Sequence, residues 1–340
     1  MRGFARRVLV ALLGAAAIVA ALRFLVRTPA DEPERFSCRW PAMGTVAQMQ
    51  VRAGVWRGGV DRARADEWRD GVQRVYGRLE GLLSAWNPES ELSRLSAAGC
   101  TNWLDETSPE VRPCYAAALR LAEETGGAFD PRIGERLRAL GVGGGRYSRF
   151  DLGAIAKGFA VDVAAGELER ALDGASLLLD LGGNLRVVGD GEWRTGVRNP
   201  FSAADARQPG VCAVIRLASG ESAATSGNYE RFFEKGGRRL SHILDGRTGE
   251  HVGGIAGVTV VTPREYGAML ADGLSTALFV MGPEEGAAFL ARCYPLALAL
   301  WIPDDPSAPR IVATPGMAHR LEQAIWPVSD VTRPSAVDRG

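Results

Sequence analysis

The stretch LLLDLGGNLRVVGDGEWRTGV, residues 177–197, decides the fold class of this 340-residue chain. It contains three short apolar segments, 177–181, 185–188 and 193–197, separated by glycine, asparagine and charged residues. Short apolar runs with turn residues between them are typical of β-strands joined by hairpins. Because no helical pattern intervenes, the three strands are predicted to pair antiparallel.

Elements on either side of this stretch complete the prediction. Further strands are predicted at 45–51, 211–217, 257–262 and 296–302. Helices are predicted from about residue 60 to Asn87-Pro88, from Ser108-Pro109 to Gly126-Gly127, from Asp151 through Leu172, and over 264–280. Helices and strands that come in separate runs indicate an α+β fold, with mixed or antiparallel sheets and helices packed on them.

Composition excludes several classes of protein. The chain is 46% hydrophobic and 24% charged, which indicates a folded core rather than disorder. Its 40 basic and 40 acidic residues cancel, so it lacks the basic charge of a nucleic-acid-binding protein. The cysteines show no zinc-ligand spacing. Cys100 and Cys114 are consistent either with a disulfide in an oxidising compartment or with two ordinary thiols.

The N-terminus carries an export or anchoring signal. Arg2, Arg6 and Arg7 precede an apolar run at 8–22, so residues 1–30 are interpreted as a signal peptide or a membrane signal anchor. Residues 31–39 are predicted to be a polar tether, 40–328 the working domain and 329–340 a C-terminal tail. The charge bias places the domain outside the cytoplasm, on the periplasmic face of the membrane.

Residues 151–158, DLGAIAKG, are a candidate anion site. They begin a predicted helix, and the free N–H groups of a helix N-terminus attract anions. Lys157, one of the two lysines of the chain, would add a compact positive charge. The same pattern is also consistent with an ordinary helix start that carries a solvated lysine.

Residues 272–276, DGLST, are a candidate cation site. Asp272 and Thr276 are four residues apart, so a helix places their oxygens on one face. A carboxylate and a hydroxyl suit Mg²⁺, which prefers oxygen ligands. This spacing is common in helices of no special function, so it favours a metal only in combination with other motifs.

Several further residues are candidates with ordinary alternatives. His242 lies between Ser241 and Asp245 in sequence and is a candidate general base or phosphate donor, or else a structural histidine. Residues 225–231 look like a tight turn that faces a ligand, and Asp130-Pro131 like a fixed bend. Met43 and Trp86 could form the apolar and aromatic walls of a site for a flat ring, or belong to the core.

The order of these motifs resembles the ApbE family of FAD:protein FMN transferases. The resemblance is carried by Met43-Gly-Thr45, Trp86-Asn-Pro-Glu-Ser90, Phe129-Asp130, residues 151–158, Asp180-Leu-Gly-Gly-Asn184, Thr225-Ser-Gly-Asn-Tyr229, Ser241-His-Ile243 and residues 271–276. It implies that FAD is bound by Met43, Trp86, Asp130, Asp151, Lys157 and Ile243. It also implies Mg²⁺ ligation by Asp272, Thr276 and the carbonyl of Ala154.

Two positions depart from the pattern of that family. Arg132 stands where a threonine often follows the Phe-Asp pair, and it could contact phosphate or cap the bend. Ala154 replaces the commoner glycine, which is harmless if a backbone carbonyl is the ligand. The lipoprotein cysteine of many relatives is missing, so attachment to the membrane would depend on residues 8–22.

The resemblance implies transfer of FMN from FAD to a threonine or serine hydroxyl of a partner protein, with release of AMP. Lys157 would neutralise the pyrophosphate and His242 would be the base. Expected acceptors are extracytoplasmic subunits of Rnf-type complexes or of sodium-pumping NADH:quinone oxidoreductases. The alternatives are an FAD pyrophosphatase that uses water as the attacking group, and a non-catalytic protein that binds or stores FAD.

Overall fold

A nine-stranded sheet forms the centre of the protein. The structure is a computed structural model that describes residues 35–52, 60–140, 149–172, 174–202, 210–229, 232–235, 238–241 and 243–331. The order of the strands is β1-β2-β3-β4-β7-β10-β11-β12-β14. Neighbouring strands are antiparallel except β12 and β14, which are parallel, so the sheet is mixed as predicted.

The strands are β1 Arg35–Ala42, β2 Thr45–Arg52, β3 Ser176–Leu181, β4 Asn184–Val188, β5 Trp193–Arg198, β6 Val211–Leu217, β7 Ser222–Gly227, β8 Phe232–Lys235, β9 Arg238–Ser241, β10 Ile255–Thr262, β11 Leu298–Pro303, β12 Ile311–Ala313, β13 Leu321–Glu322 and β14 Val328–Asp330. The helices are α1 Arg62–Leu83, α2 Glu91–Ala97, α3 Trp103–Glu106, α4 Arg112–Glu124, α5 Gly134–Leu140, α6 Ala156–Glu169, α7 Gly267–Cys293 and α8 Pro315–Ala318, with a 3₁₀ turn at Pro131–Ile133. Strands β13, β6 and β5 form a second sheet, and β8 pairs with β9.

The central sheet is covered on both faces, which explains its continuous apolar strands. In β3, Leu177 and Leu179 pack with the helices in the larger core cluster, whereas Leu178 packs with residues of β5 and β6. In β10, Val260 and Val261 divide between the same two clusters. Since successive side chains of a strand point to opposite faces, a strand buried on both faces needs apolar residues at every position. The architecture is therefore helices, central sheet and small sheet in three layers.

Most predicted strands are confirmed, but β5 pairs with β6 in the second sheet rather than with β4, and some other predictions were wrong in detail. Helix α6 begins at Ala156 rather than at Asp151, because residues 151–155 form a tight turn first. Residues 225–227 belong to β7 rather than to a turn. The short helices α2 and α3 lie in a stretch for which no helix was predicted. Helix α7 extends beyond 280 and kinks at Gly282, directly before Pro283.

Two strands cross the predicted boundaries of the working domain. Strand β1 begins at Arg35, inside the predicted tether 31–39, and β14 runs into the predicted tail. The predicted signal or anchor, residues 1–30, lies outside the described residues. Within the described part of the chain, no helix is long and apolar enough to cross a membrane. All five cysteines are free thiols, so Cys100 and Cys114 are not bridged.

Candidate functional site

Lys157 and Asp272 meet at the contact between α6 and α7. Lys157 Nζ donates a hydrogen bond of 2.6 Å to the Gly153 carbonyl oxygen and lies 3.5 Å from Asp272 Oδ2. The residue Asp272 is only 4% exposed. Burial raises the pKa of the Asp272 carboxyl, while the Lys157 ammonium and the N–H of Gly158 act in the opposite direction. A buried carboxylate with one nearby ammonium is therefore the electrostatic centre of the site.

A tight turn at residues 151–155 brings Lys157 into this position. Asp151 Oδ1 accepts a hydrogen bond of 2.7 Å from the backbone N–H of Gly153, as is typical of aspartate in turns. The Leu152 carbonyl then accepts from the N–H groups of Ile155 and Ala156, and the helix begins. Asp151 thus shapes the backbone on which Lys157 is mounted.

The carbonyl of Ala154 is left without its usual helical donor. In a regular helix, the N–H of Gly158 would donate to the carbonyl four residues earlier. Here it donates to Asp272 Oδ2 at 2.9 Å. The Ala154 carbonyl oxygen therefore lacks the hydrogen bond that a regular helix would give it.

Hydroxyl groups from β7 and α7 continue the site. The Ser226 hydroxyl lies 2.7 Å from the Ser275 hydroxyl and 3.1 Å from that of Thr276. Ser275 in turn donates 2.8 Å to the carbonyl oxygen of Asp272. Thr276 and Asp272 belong to one helix and are four residues apart, so they lie on the same side of α7.

This arrangement fits a small hard cation. Asp272 supplies a buried carboxylate, Thr276 a hydroxyl and Ala154 a carbonyl without its helical donor, and all three are the oxygen ligands that Mg²⁺ takes. No group of three or more His, Cys, Asp and Glu side chains suited to a metal occurs among the described residues. A site with a single carboxylate agrees with this finding, because Mg²⁺ commonly completes its shell with water and substrate phosphate.

The Asp130 bend contacts both the Asp151 turn and the 243–246 segment, which contains Ile243. The N–H of Asp151 donates 2.7 Å to the carbonyl of Pro131, next to Asp130. A Cβ on Gly246 would lie 2.7 Å from the Cβ of Asp130, so the 243–246 segment is packed closely against the bend. Ile243 itself is buried.

Arg132 caps the bend in this structure. Its Nε and Nη2 donate to the two carboxylate oxygens of Asp130 at 2.8 and 2.9 Å, and its backbone N–H also donates to Oδ1. Arg132 therefore has the capping role in this structure, which is one of the two roles predicted for it.

Met43 and Trp86 lie at the C-terminal end of α1. The backbone N–H of Met43 donates to Glu80 Oε2 at 3.2 Å, and Trp86 follows three residues after the end of that helix. Trp86 is 57% exposed, an unusual exposure for so large an apolar side chain, whereas Met43 is half-buried. The Met43 turn also touches the β3–β4 hairpin, since a Cβ on Gly182 would lie 2.6 Å from Thr45 Oγ1.

Sequence analysis did not predict a role for some residues that are notable in the structure. Asp180 belongs to a quoted motif, but the sequence predicts no individual role for it. Burial raises the pKa of its carboxyl to about 6, although the N–H of Gly183 and the charge of Arg39 act in the opposite direction. The position of Asp180 between leucines, near the end of a predicted strand, was the sequence feature that could have predicted its burial. Ser226 and Ser275 belong to the quoted motifs, but the sequence alone predicts no individual role for either hydroxyl. His242 lies outside the described residues.

The chain matches the profile of the ApbE family over residues 43–149 and 145–300. An FAD:protein FMN transferase of Rhodobacter capsulatus is 30% identical, with 92% of this chain and 62% of the relative covered. The chain thus spans less than two thirds of that relative, but it covers 83% of an FAD:protein FMN transferase of Treponema pallidum, which is 32% identical over 76% of this chain.

The fold agrees with the sequence comparison. A crystal structure of an ApbE protein from Thermotoga maritima superposes with a TM-score of 0.69 at 26% identity, covering 84% of this chain and 99% of that one. The flavin transferase ApbE of Vibrio cholerae has the same fold, with a TM-score of 0.66 at 23% identity over 84% of this chain and 99% of that one. The resemblance drawn from the sequence motifs is confirmed, and the chain belongs to the ApbE family.

Proposed function

We propose that this protein is an FAD:protein FMN transferase that forms a phosphoester between FMN and a threonine or serine hydroxyl of a partner protein. The hydroxyl oxygen bonds to the FMN phosphorus, the pyrophosphate bond breaks, AMP leaves, and the hydroxyl proton passes to a base. Relatives that bear this name support the activity.

The observation that carries the proposal is the convergence of Lys157, the first turn of α6 and the Asp272 carboxylate. A pyrophosphate requires positive charge, and Lys157 offers an ammonium that is only 25% exposed, beside a helix N-terminus. The Lys157 ammonium would stabilise the negative charge that spreads over the phosphoryl oxygens and the departing AMP.

Ala154, Asp272 and Thr276 would hold Mg²⁺, which would supply further charge neutralisation at the pyrophosphate when bound. Asp272 is suited to this role because its buried carboxylate is paired with a single ammonium at 3.5 Å. The Ser226 and Ser275 hydroxyls would keep the Thr276 hydroxyl oriented.

The remaining residues would bind and orient the two halves of FAD. Met43, Trp86, Asp130, Asp151 and Ile243 are proposed contacts. His242 is proposed as the base that accepts the proton of the incoming hydroxyl. Since acceptor and FAD must meet with the reacting atoms aligned, positioning is expected to supply much of the rate.

We further propose that the protein acts on the periplasmic face of the membrane, held there by its N-terminal segment or released after cleavage. Its partners would be extracytoplasmic flavin-bearing subunits of Rnf-type complexes or sodium-pumping NADH:quinone oxidoreductases. The apolar run at 8–22 supports this location.

The test is incubation with FAD and Mg²⁺, with and without a candidate acceptor subunit. Intact-protein mass spectrometry should show an FMN-sized increase on an acceptor hydroxyl, and AMP should appear in equal amount. AMP released equally without acceptor would identify a pyrophosphatase instead. Asp272→Asn should abolish transfer while the folded protein still binds FAD, and transfer that survives this substitution would contradict the cation site.

A further inference from the structure

Helix α7 is capped by a carboxylate from its neighbour. Its own N-cap residue, Tyr266, makes no side-chain capping bond. Instead Asp162 of α6 accepts hydrogen bonds from the N–H groups of Ala268 and Met269, one on each carboxylate oxygen and both at 2.8 Å. A carboxylate in this position satisfies free N–H groups and interacts favourably with the helix dipole.

The reverse contact exists at the start of α6. Its N-cap residue, Ile155, also makes no side-chain capping bond, and the N–H of Gly158 donates to Asp272 of α7 at 2.9 Å. Each helix therefore receives its N-terminal cap from the other helix. The carboxylate that caps α6 is the proposed Mg²⁺ ligand.

The two helices pack closely at this reciprocal cap. A Cβ on Gly158 would lie 2.2 Å from the Ala268 carbonyl oxygen, so the helix backbones touch where the caps exchange. Arg186 of β4, itself only 9% exposed, donates to Asp162 at 2.6 Å and ties the cap to the central sheet.

We propose that Asp162 is a positioning residue for the cation site: through the first turn of α7 it sets the register of Asp272 and Thr276 against Ala154 and Lys157. The role rests on the proposed function. Asp272 lies one helical turn beyond Ala268, so a shift of the first turn of α7 moves the ligand directly. Mg²⁺ requires distances of about 2.1 Å in near-ideal geometry. A small shift therefore weakens metal binding far more than it weakens folding.

The experiment measures Mn²⁺ binding by electron paramagnetic resonance on the full chain without FAD. The variant is Asp162→Asn, which keeps one acceptor oxygen and replaces the other by a donor amide. The matched control is Asp61→Ala, which removes an aspartate cap from α1, where Asp61 accepts from the N–H of Arg64 at 2.8 Å. Each protein is measured at the same interval below its own melting temperature, so that general destabilisation does not enter.

Asp162→Asn should raise the Kd for Mn²⁺ by about 10- to 100-fold, the usual effect of removing a group that orients a metal ligand. Asp61→Ala should leave the Kd unchanged. Arg186→Lys, which keeps a positive charge beside Asp162, is a milder second variant and should raise the Kd by a smaller factor. Unchanged Mn²⁺ affinity in the Asp162 and Arg186 variants would overturn the positioning role alone. Failure of the wild-type protein to bind Mn²⁺ both without FAD and with FAD added would overturn the cation site and the positioning role with it.

Discussion

Lys157→Met tests whether the ammonium offsets the buried charge of Asp272. Methionine retains an unbranched side chain of similar length but removes the charge. Asp272 would then keep its hydrogen bond from Gly158 and lose its ion pair. We expect the variant to be less stable than the wild type because a buried carboxylate without a cation is costly.

The structure sets the size of this effect. Removing one partner of a buried ion pair costs about 3–5 kcal/mol. The pair here is longer than a direct hydrogen-bonded ion pair, at 3.5 Å, and the Lys157 side chain is 25% exposed, so water screens part of the interaction. We therefore expect a loss of about 1–3 kcal/mol in the free energy of unfolding. The melting temperature should fall by a few degrees, at roughly 2–4 °C per kcal/mol.

The loss should depend on pH with a definite sign. Burial already raises the pKa of the Asp272 carboxyl, and removal of Lys157 raises it further. Below this pKa the carboxyl is neutral and needs no counter-charge, so the variant and the wild type should converge as the pH falls. The difference should be largest at neutral and higher pH, where Asp272 is ionised.

The assay is urea unfolding of four proteins: the wild type, Lys157→Met, Asp272→Asn and the double variant. Because the double variant removes both charges, it should be more stable than the sum of the single losses predicts. Mg²⁺ at about 100 times its Kd should add roughly 2.7 kcal/mol and recover much of the loss in Lys157→Met, but not act on Asp272→Asn. Strictly additive losses, or equal stabilisation of the Asp272 variant by Mg²⁺, would refute the reasoning.

Three further predictions follow from burial and packing. Asp180→Asn should raise the free energy of unfolding, measured in urea, by about 1–3 kcal/mol at neutral pH, and this gain should vanish near pH 4. The reason is that the native carboxyl has a raised pKa of about 6, so its ionisation costs stability as the pH rises from about 4 through 6. Gly158→Ala should lower the free energy of unfolding by about 1–3 kcal/mol, since the new Cβ would lie 2.2 Å from a backbone oxygen. The control is Gly166→Ala in the same helix, where a Cβ would have nothing within 4 Å; it should raise the free energy of unfolding by about 0.5–1 kcal/mol. Trp86→Ala should raise the KM for FAD about 2- to 10-fold without changing the melting temperature, because the ring is 57% exposed; an unchanged KM would remove Trp86 from the proposed site.

The sheet could be predicted from the sequence because its strands are buried on both faces. Apolar runs such as β3 and β10 have few other structural solutions when they are short and bounded by turn residues. The start of α6 was displaced because the Asp151 side chain forms a turn with Gly153 before the helix begins. The segment 225–227 resembles a turn in sequence because it ends at Gly227, and glycine is depleted in strands. Its pairing with residues 257–259 of β10 outweighs that preference.

The candidate site was predictable only in part, for a physical reason. The spacing of Asp272 and Thr276 predicts that their side chains share a face, because both residues belong to one helix. Lys157, the charged partner of Asp272, is 115 residues away in the sequence, and no local sequence pattern predicts that contact. The same is true of Asp162, whose hydrogen-bond partners in α7 lie 106 and 107 residues further along the chain.

The two reciprocal caps explain why a DxxxT motif alone does not predict a cation site, whereas the Asp272 and Thr276 pair of this protein does. A carboxylate on an exposed helix face is solvated and has no reason to hold a fixed position. Asp272 is different because it enters the N-terminus of α6, where Gly158 removes the Cβ that would otherwise keep the helices apart. Gly158, Asp162 and Asp272 therefore act together: Gly158 lets the two helices approach, and each aspartate accepts hydrogen bonds from the N-terminal N–H groups of the other helix. A chain with the DxxxT spacing but a larger residue at the position of Gly158 should fold these helices further apart and lose the cation site.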